Sequence, residues 1–163
     1  MKKTLIILIG LLILVTINAD AQKIKLFTSY EKNIENGSRY VVVLSDNTIW
    51  WYAPGAEWKQ NLKDGLPAGN IKFLSAFEKN IEDGTRYVVV MEDNSIWWYA
   101  PNQAWKKTST EGLPAGYSII QFQAYEKNLE DGTRYVAVLA DGSIWWYAPN
   151  QAWKKTALDG LPK

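Results

Sequence analysis

Short apolar runs alternate with turn-forming residues along almost the whole chain after residue 21. The runs are rich in Val, Ile, Tyr, Phe and Trp, which favour strands, and Gly, Asn, Asp and Pro separate them. No helical periodicity is visible in this part of the sequence. The pattern therefore predicts an all-β protein. In the last third of the chain it places four strands, A to D, at residues 119–125, 134–139, 143–148 and 152–156.

The same pattern occurs three times. Segments beginning at Ile24, Ile71 and Ile119 align at spacings of 47 and 48 residues, and the nine tryptophans are shared three to a copy. Such a period indicates a repeat architecture in which each unit packs on its neighbours. We therefore predict one repeat domain, residues 22–163, with repeats 24–70, 71–118 and 119–163.

An aspartate followed by Asn or Gly separates strands B and C in every copy. These residues are Asp46, Asp93 and Asp141. The pair predicts a two-residue hairpin turn in which both central residues have positive φ, a conformation that Asn and Gly tolerate.

The predicted strand B of the first repeat is apolar on both faces. Val41 and Val43 point to one side, whereas Val42 and Leu44 point to the other, so the strand must be covered on both sides. A four-stranded antiparallel unit with such central strands is typical of a β-propeller blade, and blades of about 40 to 50 residues are usual. The sequence thus predicts three four-stranded antiparallel repeats that resemble propeller blades.

The repeat number leaves two architectures open. Propellers usually have about four to eight blades, so three blades need a second chain, and a homodimer would complete a six-bladed ring. The alternative is a β-trefoil, in which three repeats of four strands close within one chain. The Gln-Ala-Trp sequences that end at Trp105 and Trp153 resemble the Gln-x-Trp element of ricin-type trefoil lectins, whereas the Ala-Glu-Trp that ends at Trp58 does not.

The N-terminus has the features of a secretory signal peptide. Two lysines precede an apolar run from Leu5 to Val15, and small residues at Ala19 and Ala21 supply a cleavage pattern. The run is shorter than the roughly 20 residues that span a bilayer. We therefore predict that residues 1–21 are removed and that the mature protein is secreted, whether periplasmic, extracellular or on the cell surface, with no membrane attachment.

Composition argues against several functions. Of the 18 basic and 17 acidic residues, Lys2, Lys3 and Asp20 lie in the signal segment, so the remaining charges balance. Balanced charge disfavours nucleic-acid binding, which relies on a basic excess. The chain has no histidine and no cysteine, which removes the commonest general base, the thiol nucleophile and the usual zinc ligands. We therefore predict a protein that is not an enzyme and has no metal or other cofactor.

One rim of the predicted units combines polar and aromatic residues. In an antiparallel meander the A-to-B loop and the C-to-D turn lie at the same end of each unit, and this end is nearly unchanged among the copies. Flat aromatic faces with a few hydrogen-bonding groups suit carbohydrate recognition. A structural alternative is an ion pair between Glu31 and Arg39 across the A-to-B hairpin. The predicted ligand-binding residues are Glu31, Asn33, Arg39, Trp58, Glu78, Asn80, Arg86, Trp105, Glu126, Asn128, Arg134 and Trp153. The Trp-Trp doublets are predicted to be mainly core.

A family resemblance supports the carbohydrate hypothesis. Tyr-Val-x-Val-x-x-Asp-Gly-Ser-Ile-Trp-Trp-Tyr, followed by a turn and Trp-Lys-Lys, resembles the repeats of tectonin and tachylectin-type propellers. The resemblance implies a sugar-binding lectin. The repeat count of three and the Glu-Lys-Asn loop depart from that family. The sequence thus predicts a secreted, non-catalytic protein that binds glycans multivalently, with a structural or adhesive protein-interaction repeat as the alternative.

Overall fold

The computed structural model describes residues 22–31, 37–78, 85–126 and 132–162. These residues form three separate four-stranded antiparallel sheets, each ordered as a simple meander. The strands are β1 (Ile24–Glu31), β2 (Ser38–Leu44), β3 (Ile49–Tyr52) and β4 (Lys59–Gln60) in the first blade, β5 (Ile71–Glu78), β6 (Thr85–Met91), β7 (Ile96–Tyr99) and β8 (Lys106–Lys107) in the second, and β9 (Ile119–Glu126), β10 (Thr133–Leu139), β11 (Ile144–Tyr147) and β12 (Lys154–Lys155) in the third. The predicted all-β architecture of propeller-like blades is confirmed.

Three separate sheets do not fit the β-trefoil alternative.

The predicted signal peptide, residues 1–21, lies outside the described residues. Within those residues no helix is long and apolar enough to cross a membrane.

The blades pack face to face, and each contact between neighbours buries its own core. The first strands of the blades, β1, β5 and β9, lie next to one another. Val41, Val43 and Ile49 of the first blade pack against Tyr87 and Val89 of the second. The second blade uses its other face to form the equivalent core with the third blade. The middle strands of the second blade are therefore covered on both sides, as their two-sided apolar pattern predicts, whereas those of the first and third blades are covered on one side by a neighbouring blade.

A tryptophan joins each blade to the connection that precedes it in the chain. Trp105 is only 3% exposed, its indole N–H donates to the Leu62 carbonyl at 3.0 Å, and its backbone N–H donates to the Asp64 carbonyl at 2.8 Å. Trp153 is buried to the same extent and makes the same two bonds, to the carbonyls of Ser109 and Glu111. We call this arrangement the tryptophan latch. It crosses between blades, so it stabilises their packing and not one sheet alone.

A glycine completes each latch. Gly65 and Gly112 have φ of 80° and 92°, and a Cβ on either would lie 2.7 or 2.4 Å from the carbonyl oxygen of the latch tryptophan. Real Cβ atoms do not approach backbone so closely, and positive φ is strained for other residues. The Gly-Leu-Pro sequence that ends each repeat is therefore required by the approach of the next blade.

The turn between strands B and C differs from the prediction. Only the second residue of each pair, Asn47, Asn94 or Gly142, has positive φ, and the aspartate does not. The Asn47 N–H donates to the Leu44 carbonyl at 2.8 Å, which closes a four-residue turn. The predicted two-residue turn with two positive φ values is wrong, because the connection has three residues with the left-handed one last.

The turn asparagines also hold the next blade. Asn47 Oδ1 accepts from the backbone N–H of Ile71 at 3.3 Å, and Asn94 Oδ1 accepts from that of Ile119 at 3.0 Å. Gly142 has no side chain to make this bond. The first two turns thus connect blades, whereas the third closes only its own hairpin.

The turn aspartates organise a short chain of hydrogen bonds. In the second blade, Asp93 Oδ1 accepts from the backbone N–H and the hydroxyl of Ser95, and that hydroxyl accepts from the Trp97 indole at 2.9 Å. Asp46 and Asp141 make the equivalent bonds. Hydrogen bonding to the carboxylate lowers the pKa of all three aspartates from their ordinary value.

We predict that Trp105→Ala destabilises the fold by about 3–5 kcal/mol, because it removes a large buried ring and its bond to the first blade. Trp58→Ala is the matched control for the separate chain, since Trp58 is 44% exposed and no blade precedes it among the described residues. Urea unfolding measures both variants at concentrations where light scattering gives the mass of one chain. Similar losses for the two variants would contradict the latch.

We also predict that the turn aspartates make stability fall in acid. Their folded pKa is below the unfolded value of about 3.9, so their contribution is present above that pH and is lost as the pH falls through the folded values. Replacing all three by Asn should flatten the decline in unfolding free energy between about pH 5 and pH 2. An unchanged decline in the triple variant would contradict the prediction. Urea unfolding across that pH range checks this.

Candidate binding site at the blade junctions

Two equivalent cavities lie where the blades meet, on the rim of the A-to-B loops and C-to-D turns. Their volumes are about 310 and 320 Å³. The cavity between the first and second blades is lined by Tyr30, Arg39, Trp51, Ala53, Asn61, Thr85, Tyr87, Tyr99 and Pro101. The cavity between the second and third blades is lined by Phe77, Arg86, Trp98, Thr108, Thr133, Tyr135, Tyr147, Pro149 and Asn150. We call them the first and second junction pockets.

Both pockets are built in the same way, because each takes one part from the blade before it and one from the blade after it. The preceding blade supplies an arginine and the second tryptophan of the doublet, Arg39 with Trp51 or Arg86 with Trp98. The following blade supplies two tyrosines that stack across its strands, with ring centroids 5.7 Å apart for Tyr87 and Tyr99. A pocket of this kind exists only when two blades are packed together.

The cationic groups at the pockets are held in place. Arg86 Nη1 donates to the Thr85 carbonyl at 2.9 Å. Lys106 Nζ lies 5.2 Å from the centroid of the Trp98 ring, and Lys59 lies 5.5 Å from that of Trp51. These cation–π contacts fix the tryptophan rings and add positive charge near the openings.

Each pocket also contains a buried polar group whose hydrogen-bonding capacity is not used. Asn61 Nδ2 has no hydrogen-bond partner among the described residues. Thr108 Oγ1, at the equivalent position, makes no bond of standard geometry either, although its hydroxyl faces the Tyr135 phenol. Leaving such groups unsatisfied costs about 1–3 kcal/mol each. A ligand that bonds to them would recover part of that cost.

Three of the pocket tyrosines, Tyr30, Tyr87 and Tyr135, are neutral at ordinary pH. Burial raises the pKa of Tyr87 and of Tyr135 far above the ordinary value. Burial also raises the pKa of Tyr30, whose hydroxyl shares hydrogen bonds with Thr85 and Tyr87. The arginines therefore supply the only full charges on the lining residues, so the pockets favour a neutral or anionic ligand.

The structure brings two of the predicted arginines into pockets and places the glutamates elsewhere. Glu78 accepts from the Thr85 hydroxyl at 3.2 Å, and Glu126 from that of Thr133 at 3.0 Å. These bonds join strands A and B, and neither glutamate lines a junction pocket. Glu31 occupies the same position at the end of β1. Glu78 and Glu126 therefore bond within their own A-to-B hairpins.

Two of the predicted tryptophans cannot offer a ring face to a ligand. Trp105 and Trp153 are buried in the latch, so they cannot stack against a ligand as predicted. Trp58 is exposed. Asn33, Asn80 and Asn128 lie outside the described residues. Arg134 donates from Nη1 to the Thr133 carbonyl at 2.8 Å, on a blade that no further described blade follows.

Sequence reasoning missed part of the pocket lining. Trp51 and Trp98 were expected to be core, but they are half-buried and line the cavities. Asn61 and Thr108 also line the cavities and are not among the predicted ligand-binding residues. Alternation along strand C indicates that the doublet tryptophans face opposite neighbours, and this signal could have identified Trp51. No group of three or more His, Cys, Asp or Glu that could hold a metal ion occurs in the described ranges.

We predict that stability falls steeply as the pH rises above about 10, the ordinary tyrosine pKa. A raised folded pKa means that the unfolded chain loses the proton first, so stability is full below that pH and is lost above it. Tyr87→Phe removes one of these phenols, so its unfolding free energy should fall less between neutral and alkaline pH than that of the wild type. Absorbance of tyrosinate together with near-UV circular dichroism measures both events, and ionisation of every tyrosine before unfolding would contradict the prediction.

Comparison with known proteins supports the fold. No protein-family model and no curated protein matches the chain. The chain is similar to BBS1N in a crystal structure of its complex with ARL6DN soaked with lead, with a TM-score of 0.55, 15% identity, and coverage of 83% of this chain and 41% of that chain. A mercury-soaked crystal of the same complex gives a TM-score of 0.53, 15% identity, and coverage of 82% and 37%. The chain thus spans about two fifths of the chains it resembles, and the likeness shows a propeller-like fold.

Proposed function

We propose that this protein is an exported, non-catalytic interaction protein that binds partners through the junction pockets of one rim. The observation that carries the proposal is the repetition of the pocket. Both junctions place an arginine, a tryptophan, two stacked tyrosines and an unsatisfied buried polar group around a cavity of similar size. Equivalent sites in series suit a binding protein, which gains affinity from several weak contacts made together. An enzyme normally builds one asymmetric site.

A protein partner is the first candidate. At about 310–320 Å³ the pockets are near the lower limit for small-molecule sites and can accept one large side chain. Their aromatic walls and arginine would receive an aromatic or acidic side chain, and such anchors commonly dominate protein interfaces. The similar BBS1N structures were solved in complex with a protein, ARL6DN, which agrees with a propeller used for protein recognition.

A glycan is the second candidate, and the aromatic and polar lining of the pockets is compatible with it. The half-buried Trp51 and Trp98 present flat aromatic surface beside an arginine, hydroxyls and an amide. An apolar sugar face can stack on such rings while its hydroxyls bond to the polar groups. The resemblance to lectin repeats in the sequence points the same way.

Arg39→Ala combined with Arg86→Ala tests the proposal. The mature chain, residues 22–163, is screened against a displayed library of random peptides and a broad panel of immobilised glycans. We expect peptides to bind, and binding to weaken about 10-fold or more in the double variant, because a charged hydrogen bond contributes about 1.5–3 kcal/mol.

Lys25→Ala combined with Lys72→Ala is the matched control. It removes the same charge from the opposite end of the same blades, where these lysines contact Asn47 and Asn94. The control should bind as well as the wild type. Glycan binding that the arginine variant abolishes would establish the second candidate instead. Binding to neither probe, or binding that ignores the arginine variant, would overturn the proposed function.

A further inference from the structure

One face of the first blade exposes residues that the other blades bury. Ile24 and Phe27 are 62% and 60% exposed, whereas Ile71, the counterpart of Ile24, is 1% exposed. Tyr40 and Trp58 are also exposed, whereas their counterparts Tyr87 and Trp105 are buried. We call this surface the leading face: Ile24, Phe27, Tyr40, Tyr52 and Trp58.

The leading face already has the geometry of a blade junction. Its rings form a ladder across four strands, with centroid distances of 6.0 Å from Phe27 to Tyr40, 5.9 Å from Tyr40 to Tyr52, and 5.3 Å from Tyr52 to Trp58. In the third blade the equivalent ladder, packed against the second blade, has distances of 5.8, 5.4 and 5.5 Å. The first blade therefore holds its aromatic rings ready for a preceding blade.

The last connection of the chain holds the other half of a latch. Gly160 has φ of 89°, like Gly65 and Gly112, but a Cβ on it would meet nothing within 4 Å. Ala157 and Asp159 occupy the positions of the residues whose carbonyls receive Trp105 and Trp153. A shallow, open cavity lies there, lined by Lys155, Thr156, Ala157, Leu158 and Asp159. We call this cavity the socket.

The outer face of the third blade is also exposed. Leu161 is 61% exposed, whereas its counterparts Leu66 and Leu113 pack against the two blade cores. Tyr125 is exposed as well, whereas its counterpart Phe77 is buried. The described residues thus leave two outer faces exposed, and the apolar and latch residues of these faces match those of the two internal junctions.

We propose that the leading face of one copy of this chain packs on the third blade of a second copy, with Trp58 in the socket, and that two such contacts close a six-bladed ring. This proposal rests on the proposed interaction function and names a second copy as partner. Both unpaired halves belong to the junction that already joins the blades twice within the chain. Two copies of the three described blades give six, which lies in the usual range of about four to eight.

The second copy would also complete a further junction pocket. Arg134, Trp146 and Thr156 occupy the positions of Arg86, Trp98 and Thr108, but they lack the tyrosines that a following blade supplies. Tyr40 and Tyr52 of the second copy would supply them. The ring would then have six pockets, two within each chain and two shared between the chains, and Arg134 would have the same role as Arg39 and Arg86.

One bond of the internal junctions has no counterpart in the proposed contact. Gly142 replaces the asparagine that accepts from the next blade's first strand in the other two junctions. The contact between copies therefore rests on the latch and the apolar faces. These are the features that the test addresses.

Gly160→Ala is the decisive variant. In the separate chain the added Cβ meets nothing, whereas in the proposed contact it would clash with the Trp58 carbonyl, as the equivalent Cβ would clash in both internal latches. Gly142→Ala is the matched control, since Gly142 has a similar φ of 80° and also meets nothing within 4 Å. Light scattering after size exclusion measures the mass of the mature chain and each variant, and circular dichroism checks folding.

We expect the mass of two chains for the wild type and for Gly142→Ala, and of one chain for Gly160→Ala. Trp58→Ala should also give one chain, and it decides the question if Gly160→Ala does not fold. Three outcomes would overturn the proposal: a wild type with the mass of one chain, a mass that grows beyond two chains with concentration, or a dimer that survives both variants. The two internal pockets need no second copy, so a one-chain mass with arginine-dependent ligand binding would leave the proposed function intact.

Discussion

The structure depends on the burial of apolar sheet faces between neighbouring blades. A single four-stranded sheet of this sequence would expose an apolar face on either side, and a small isolated sheet is marginally stable in water. Stacking blades removes that surface, and the core residues lie between sheets, in two separate clusters. The stability of any blade is therefore a property of its neighbours, as in other repeat proteins.

The polar contacts between blades decide how the apolar faces meet. Apolar burial has no direction, so it does not by itself set the register of one blade on the next. Two sets of hydrogen bonds set this register. Trp105 and Trp153 donate to backbone carbonyls in the latch, and the side chains of Asn47 and Asn94 accept from the first strand of the next blade. Between these fixed points the junction pockets remain open. A shift of one blade on the next would change both the pocket shape and the position of its arginine.

The repeat length, the strand number and the two-sided burial could be predicted from the sequence, because each has a local pattern: the spacing of Ile24, Ile71 and Ile119, and the apolar positions from Val41 to Leu44. The role of the third tryptophan could not. Trp58, Trp105 and Trp153 have the same local sequence signal, yet only the last two are buried, because burial depends on a preceding blade. The pockets could not be predicted either, because they form between blades. Their lining comes from residues about 50 positions apart, and no pattern within one repeat shows how Trp51 meets Tyr99.

The tryptophan latch also has a consequence for how such a chain can change over generations. Each repeat carries a tryptophan just before strand D and, after strand D, two carbonyls and a glycine at the positions that receive the next repeat's tryptophan. Every unit therefore holds one half of the junction on either side. Duplicating or deleting a whole unit would leave the two ends of the chain complementary. The number of units per chain can then change, and the proposed ring would keep its size provided that the copies in it add up to the same total of units.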